Sequence, residues 1–232
     1  MKIIFLNAWV GKVPEIKKFI LDQVSSTDVF CFQEAGHYNV DIFCKEYLSS
    51  QYQLFTCQKP LSQKDIMVNA SFVKKNLSVI QTQIIGQKEE NIGLGLLTQI
   101  EDKNKQILNI CNFHGFPWPG DKQDNQDRLS QSELIINSLK NFDGPKIIGG
   151  DFNLDKDIKS TQIFEQNGFL SLIKEFQIGN TRNQLSWQQY PEDSKQHFAD
   201  HLFISPELKV TYFAVPYIEI SDHLPLIIEV NY

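Results

Sequence analysis

Arginine is scarce: of 22 cationic side chains only Arg128 and Arg182 are arginines, and the rest are lysines. Lys, Asn, Gln and Ile are all abundant, so a biased residue pool accounts for the skew. The two guanidinium groups that remain are expected where a planar fork matters more than charge. A basic excess is also missing, with 28 acidic residues against 22 basic ones and a formal net charge of −6. No global positive field therefore recruits nucleic acid, although a local site and its metal can still attract phosphate. No apolar run approaches the ~20 residues that cross a bilayer as a helix. The N-terminal MKIIFLNAWVGK has the lysine and short apolar stretch of a signal peptide. Asn7 interrupts it and no small-residue cleavage site follows, so it is read as a first strand and the chain as cytoplasmic. The four cysteines, Cys31, Cys44, Cys57 and Cys111, form no CxxC pair and no Cys/His zinc spacing. Buried free thiols in a reducing compartment are the simpler expectation. There is no internal repeat, low-complexity tract or Gly/Ser/Pro linker, so residues 1–232 are expected to form one domain, acting as a monomer.

What is present is ample apolar material. With 41% hydrophobic residues over 232 positions, the chain should bury roughly 70% of its unfolded surface and needs no disulfide staple. Apolar, β-rich segments at 2–9 and 28–33 flank an amphipathic helix at 14–24, where Ile16, Phe19, Ile20 and Val24 share a face. A second helix is expected at 38–49. Strands follow near 52–58, 66–74, 77–85, 92–99 and 106–113, and the turns KKN at 74–76 and EDKNK at 101–105 predict antiparallel neighbours. A helix at 125–141, carrying Leu129, Leu134, Ile135 and Leu139, precedes a strand at 145–149 and a helix near 160–167. Strands near 198–204, 208–217 and 225–231 close the chain. This order predicts an α/β protein in which two mainly antiparallel sheets pack face to face with helices outside. The Pro- and Gly-rich stretch 114–126 is a loop mounted directly on a buried strand, a usual place for function.

Polar residues gather at the ends of these strands: Asn7, Gln33 and Glu34, His114, Asp151 and Asn153, Asp200, and Asp222 with His223. Each has a plain alternative taken singly. Asn7, Asp151 and Asp222 can serve turns, Glu34 can cap a helix, and a lone histidine is more often structural. Acid, amide and imidazole at the mouths of several buried strands are nevertheless costly if nothing binds there.

In order along the chain, N7, QE34, H114, GGD151FN153, D200HLFIS and SD222HLPL resemble the endonuclease/exonuclease/phosphatase superfamily of metal-dependent phosphoesterases. RLSQSEL at 128–134 is similar to that family's Arg-x-x-Gln helix. The resemblance implies a four-layer α/β sandwich and hydrolysis of a phosphoester by in-line attack of water. It implies Glu34 as the principal ligand of Mg²⁺ (or Mn²⁺), with Asn7 and Asp222 beside it and Gln33 in support. By the same likeness Asp151 activates the water, Asn153 donates to a phosphate oxygen, and His114 and His223 contact the phosphorus centre. Asp200 is expected to pair with His223 and favour its charged form. Arg128 and Arg182 are candidate phosphate contacts, with a structural bridge from Arg128 to Glu133 or Asp124 as the alternative. Trp118 and Trp187 are candidates to stack a base, against loop packing. Trp9, His114 and His201 depart from the abasic-site branch, which leaves the substrate open. It is a phosphodiester, DNA or RNA included, or a small or lipid-derived phosphate. A fold that keeps binding but has lost catalysis is the reading from another class.

Overall fold

Side chains alternate across a strand, and that period of two sorts the first strand, β1 (Lys2–Asn7), into two faces. Ile3 and Phe5 join one buried cluster, while Ile4 and Leu6 join another with Ile16 and Ile20 of α1 (Glu15–Gln23). The structure, a computed structural model, describes residues 1–36, 48–62, 65–188 and 190–231. The helix expected at 38–49 and Cys44 lie almost wholly outside them.

The same rule extends to β2 (Val29–Gln33), β3 (Tyr52–Pro60) and β4 (Ile66–Lys74). With β11 (Lys209–Ala214) and β12 (Leu226–Asn231) they form one six-stranded sheet in the order β11-β12-β1-β2-β4-β3. The second sheet contains β5 (Ser78–Ile85), β6 (Leu94–Glu101), β7 (Ile107–His114), β8 (Lys146–Asp151), β9 (Leu170–Ser171) and β10 (Asp200–Ile204). Its order is β5-β6-β7-β8-β10-β9. Within each sheet one central pair is parallel, β1 with β2 and β7 with β8, and the remaining pairs are antiparallel. Helix α2 (Gln126–Leu139) and helix α3 (Lys159–Gln166) cover the outside of the second sheet through Ile135, Ile136, Leu139 and Phe164. Helix α1 covers the first. The result is the four-layer α/β sandwich.

The KKN turn differs from its expectation. It joins β4 to β5, which lie in different sheets, so residues 74–76 carry the chain across the sandwich instead of closing a hairpin. Leu77 just beyond is buried in the core between the sheets, and this anchors the crossing. EDKNK does close an antiparallel pair, β6 with β7.

The space between the sheets is graded along the strands. At one end it is apolar, with Ile3, Val29, Ile110, Ile147, Leu202 and Ile228. Further along, Gln33 Nε2 donates to Asn112 Oδ1 at 2.6 Å across the sandwich, and Asn112 Nδ2 donates to Phe32 O and Ala70 O. At the far mouth stand Asn7, His114, Asp151 and Asp200, on the same strand faces as the core residues below them. Alternation that buries a strand's apolar half thus aims its last polar residue into the same cleft.

Candidate active site

Pairing aligns the second sheet's contribution. His114 lies opposite Asp151, and Asp151 opposite Asp200, so the three occupy one cross-strand row. Gly150, at φ +132, permits this turn of the backbone; a Cβ there would meet Phe113 O at 2.1 Å. Gly115 lets the following loop press on β8, since a Cβ would lie 1.9 Å from Phe152 O. Among the polar residues with positive φ are three at this mouth, Glu34 at 46, Lys122 at 59 and Asn153 at 53. Asn tolerates that region readily, whereas Glu34 holds its conformation at a cost, as residues at functional sites often do.

A chain of contacts crosses the cleft. Asn7 Nδ2 donates to Asp151 Oδ2 at 2.9 Å and to Glu34 Oε1 at 3.1 Å. His114 Nε2 lies 3.7 Å from Asp151 Oδ2 and 4.0 Å from Glu34 Oε1. On the other side His223 Nε2 lies 3.7 Å from the same Asp151 oxygen, while its Nδ1 bonds Asp200 Oδ2 at 2.9 Å. Arg182 bridges to His223 through the backbone, and its Nη2 approaches Asp222 Oδ2 at 3.4 Å. Ser221 Oγ donates to Asn7 O at 2.7 Å and ties the SDH loop to β1.

Charge follows this geometry. Burial alone would raise the Asp151 carboxyl, but His223, His114, Lys122 and the Asn153 N–H outweigh it and hold it well below the usual range. Burial opposes a charged His223, yet Asp200, Asp151 and Asp222 prevail and raise the ring to about 9. The proton between His223 and Asp200 therefore rests on the imidazole. His201, one residue beyond Asp200, faces the outer layer; burial pushes it down to about 4, and its Nε2 bonds Leu154 O at 3.0 Å.

Several expected residues serve other ends. Asn7 Oδ1 accepts the Trp9 N–H at 3.0 Å, and its amide N–H groups face the two carboxylates. Arg128 is buried and braces the loop, with Nη1 on Asp121 Oδ1 at 2.8 Å and on Gln123 O, and Nη2 on Pro119 O. Its ionic partner is Asp121 rather than Glu133 or Asp124; Asp124 instead bonds Ser160 and the Lys159 N–H at the start of α3. Gln131, one turn on, accepts from Gly93 N and Phe116 N. Trp187 sits on a single helical turn, α5 (Gln184–Trp187), with its indole N–H on Gln196 O and its ring against His197. It is buried, whereas Trp118 is 50% exposed and, with the half-buried Trp9, lines the cavity over the carboxylates.

Lys122 escaped the reading of the sequence. It is buried in the loop, and its ammonium donates to Asn153 Oδ1 at 2.5 Å while Asn153 Nδ2 donates to Gly115 O at 3.0 Å. Asn153 is thereby fixed at both ends of its amide. Lys59 is committed elsewhere, donating to Gly86 O, Glu89 O and Ile92 O.

The profile of the Endonuclease/Exonuclease/phosphatase family matches residues 6–223. The chain belongs to that family. Endonuclease/exonuclease/phosphatase proteins are divalent-metal-dependent phosphoester hydrolases, so this chain is an enzyme of that broad kind. The human nocturnin catalytic domain with bound sulfate has a similar structure: TM-score 0.76, 19% identity, 100% of this chain and 93% of that one covered. A mannosyl-6-phosphatase from Bacteroides thetaiotaomicron gives 0.76 at 16% identity, covering 100% of both chains. D. rerio TDP2 with a single-strand DNA product gives 0.76 at 16%, covering 100% and 99%. At such identities these likenesses speak for the fold. No curated protein matches the chain in sequence.

The donors suit a family metal. Ligand atoms of Glu34, His114 and Asp151 lie within 4.8 Å of one another, and a second such group joins Asp151, Asp200 and His223. Two carboxylates sharing one amide donor leave negative charge that a hard divalent cation would neutralise. Asp222 lines the same cavity, 4.0 Å from His223 Nε2, without joining either group.

Proposed function

We propose that the chain is a Mg²⁺- or Mn²⁺-dependent phosphodiesterase in which Asp151 activates the attacking water. The observation that carries this reading is the unbroken path Glu34–Asn7–Asp151–His223–Asp200 across the mouth of the sandwich. Glu34 would hold the cation, with His114 and Asp151 nearest to it. When bound, the cation polarises a phosphoryl oxygen and offsets charge on the leaving oxygen.

The chain's own residues do the rest. Asn7 donates to Asp151 Oδ2 and directs the carboxylate into the cleft. A carboxyl held so acidic positions water by accepting its hydrogen bond. It takes the proton only as the water oxygen bonds phosphorus and grows acidic. The phosphorus–oxygen bond opposite then breaks, and the departing oxygen takes a proton from solvent. His223, charged and held by Asp200, donates through Nε2 to the equatorial oxygen on which charge accumulates, and His114 faces it from the neighbouring strand. Lys122 and Gly115 keep the Asn153 side chain still beside Asp151. Arg182, which lines the cavity, supplies the one guanidinium within reach of a phosphate among the described residues.

The fold is shared by TDP2 complexed with a single-strand DNA product and by a mannosyl-6-phosphatase. A small phosphoester is therefore the second reading, favoured by the acidic net charge. One domain over residues 1–232 is supported by β12, which pairs with β1. Free, buried Cys31, Cys57 and Cys111 agree with a reducing, cytoplasmic setting. No helix among the described residues is long and apolar enough to cross a membrane. The test is hydrolysis of bis-p-nitrophenyl phosphate and of single-stranded DNA with Mg²⁺, Mn²⁺ and chelator, with Asp151→Asn as control. Turnover lost in the variant and in chelator supports the reading; binding of metal with no turnover of either diester overturns it, and turnover of p-nitrophenyl phosphate alone then favours the small phosphoester.

A further inference from the structure

Strand β5 pairs with β6 along one side and with no described strand along the other. Six of its eight residues are exposed, among them Ile80 at 49% and Ile84 at 39%. Thr82 and Ile84 stand opposite Thr98 and Leu96, which are buried. The outermost strand of the second sheet thus overhangs the first sheet and presents both faces as well as its edge. Open edges are normally blunted by a lysine, a proline, a bulge or short length. Of the other edge strands, β9 spans two residues, β11 opens on Lys209, and β3 ends in Lys59 and Pro60 and is exposed only at Thr56, Gln58 and Pro60. Between Ser78 and Gln87 there is no charged residue and no proline, and β5 has only a register shift between Val79 and Gln81.

The order of side chains along this edge is the second observation. Ile80-Gln81-Thr82-Gln83-Ile84 reads the same in both directions, and the flanks continue the likeness with Val79 against Ile85 and Ser78 against Gly86. A two-fold contact needs a surface that complements itself. Antiparallel strands related by an axis through Thr82 set Thr82 against Thr82, Gln81 against Gln83 and Ile80 against Ile84. Hydroxyl, amide and aliphatic groups then each meet their own kind across the strands.

We infer that β5 is a docking edge for a second copy of this chain, joined antiparallel about Thr82, in place of the single copy expected from the sequence. Two-fold pairing uses up the edge in both copies and closes the assembly. Ile85 pairs with Gly95, beside Leu94, which faces His114, so β5 runs toward the catalytic mouth. The two mouths therefore open at opposite ends of the joined sheet, and neither is covered. The contact draws on few residues, against about 20–30 a side in a standard interface, so the dimer should be weak and form in the micromolar range.

Analytical ultracentrifugation of the full chain, from low micromolar to near-millimolar concentration, tests the inference. The mass should rise from one chain to two and stop there. Thr82→Lys and Thr82→Glu each set like charges face to face and should each weaken association about fivefold. Thr82→Val, which keeps a β-branched side chain, should leave the dimer in place. An equimolar mixture of the Thr82→Lys and Thr82→Glu chains should associate at least as tightly as wild type, because position 82 of one copy faces position 82 of the other. That recovery also shows that both variants are folded. A single chain at every concentration overturns the inference. So does a dimer that Thr82→Lys leaves intact, a mixture that associates no better than either variant alone, or a mass that keeps growing beyond two copies.

Discussion

Replacing Asp200 by Asn removes the charge that faces His223 Nδ1 at 2.9 Å and keeps the shape of the side chain. In the intact site burial disfavours the charged ring, but Asp200 leads the carboxylates that raise it to about 9. At pH 7.5 a group with that pKa is about 97% protonated. Without Asp200 the burial penalty remains, and the ring should return to its ordinary 6.5 or below, where about 10% or less carries charge at pH 7.5. If the imidazolium is the donor to the phosphorus centre, kcat at pH 7.5 should fall at least about tenfold. The sign is fixed: a raised pKa keeps the ring charged below about 9, so the variant should recover as pH is lowered toward 6. Asp151 remains ionised there because its carboxyl is held so low. The assay is kcat from pH 5.5 to 9 on bis-p-nitrophenyl phosphate, with Mn²⁺ affinity measured by calorimetry. Affinity should change little, because Asp200 is not in the Glu34 group. A loss of turnover that is flat with pH, or matched by an equal loss of metal affinity, would refute the reasoning.

Lys122→Met should lower kcat about tenfold and leave the melting temperature nearly unchanged. The Asn153 amide loses its cation, while a buried charge gives way to an apolar chain of similar length; unchanged kcat would dismiss the role. Arg128→Ala should cost about 3 kcal/mol in urea unfolding, since a buried guanidinium and its loop carbonyls are disconnected together. A raised KM at unaltered stability would instead return Arg128 to the substrate. His201 has a folded pKa of about 4 against its ordinary 6.5, so the unfolded chain takes up the proton first. Its stability contribution is whole above pH 6.5 and is lost as pH falls toward 4, by about 3 kcal/mol in full. His201→Gln should flatten that part of the acid limb in unfolding measurements at pH 7.5 and 5, and an identical slope would contradict the assignment.

Strand identity was legible wherever apolar runs ended in one polar residue, as in IIFLN, VFCFQ, ILNICNFH and KIIGGD. The period of two buries the run and turns its last member into the cleft, so fold and site are encoded together. The helix read at 125–141 spans Gln126–Leu139, because Asn125 caps it through the Arg128 N–H. The segment read as a strand to 217 stops at Ala214, beyond which the chain turns toward Ser221 and the site. Short elements left no periodic trace: β9 and α4 (Leu172–Glu175) occupy six residues together. Lys122 was illegible for another reason. A lysine in a polar loop reads as solvated, and only a partner 31 residues away makes its burial tolerable. The same holds for Arg128 and Trp187, whose partners lie in nearby loop carbonyls that composition cannot assign.

Crystals soaked in Mn²⁺ and measured at a wavelength where manganese scatters anomalously test the central claim most directly. The account predicts one strong anomalous peak about 2.1 Å from a Glu34 carboxylate oxygen, on the side facing His114 and Asp151. A peak bound elsewhere on the chain, with none at Glu34, would contradict it.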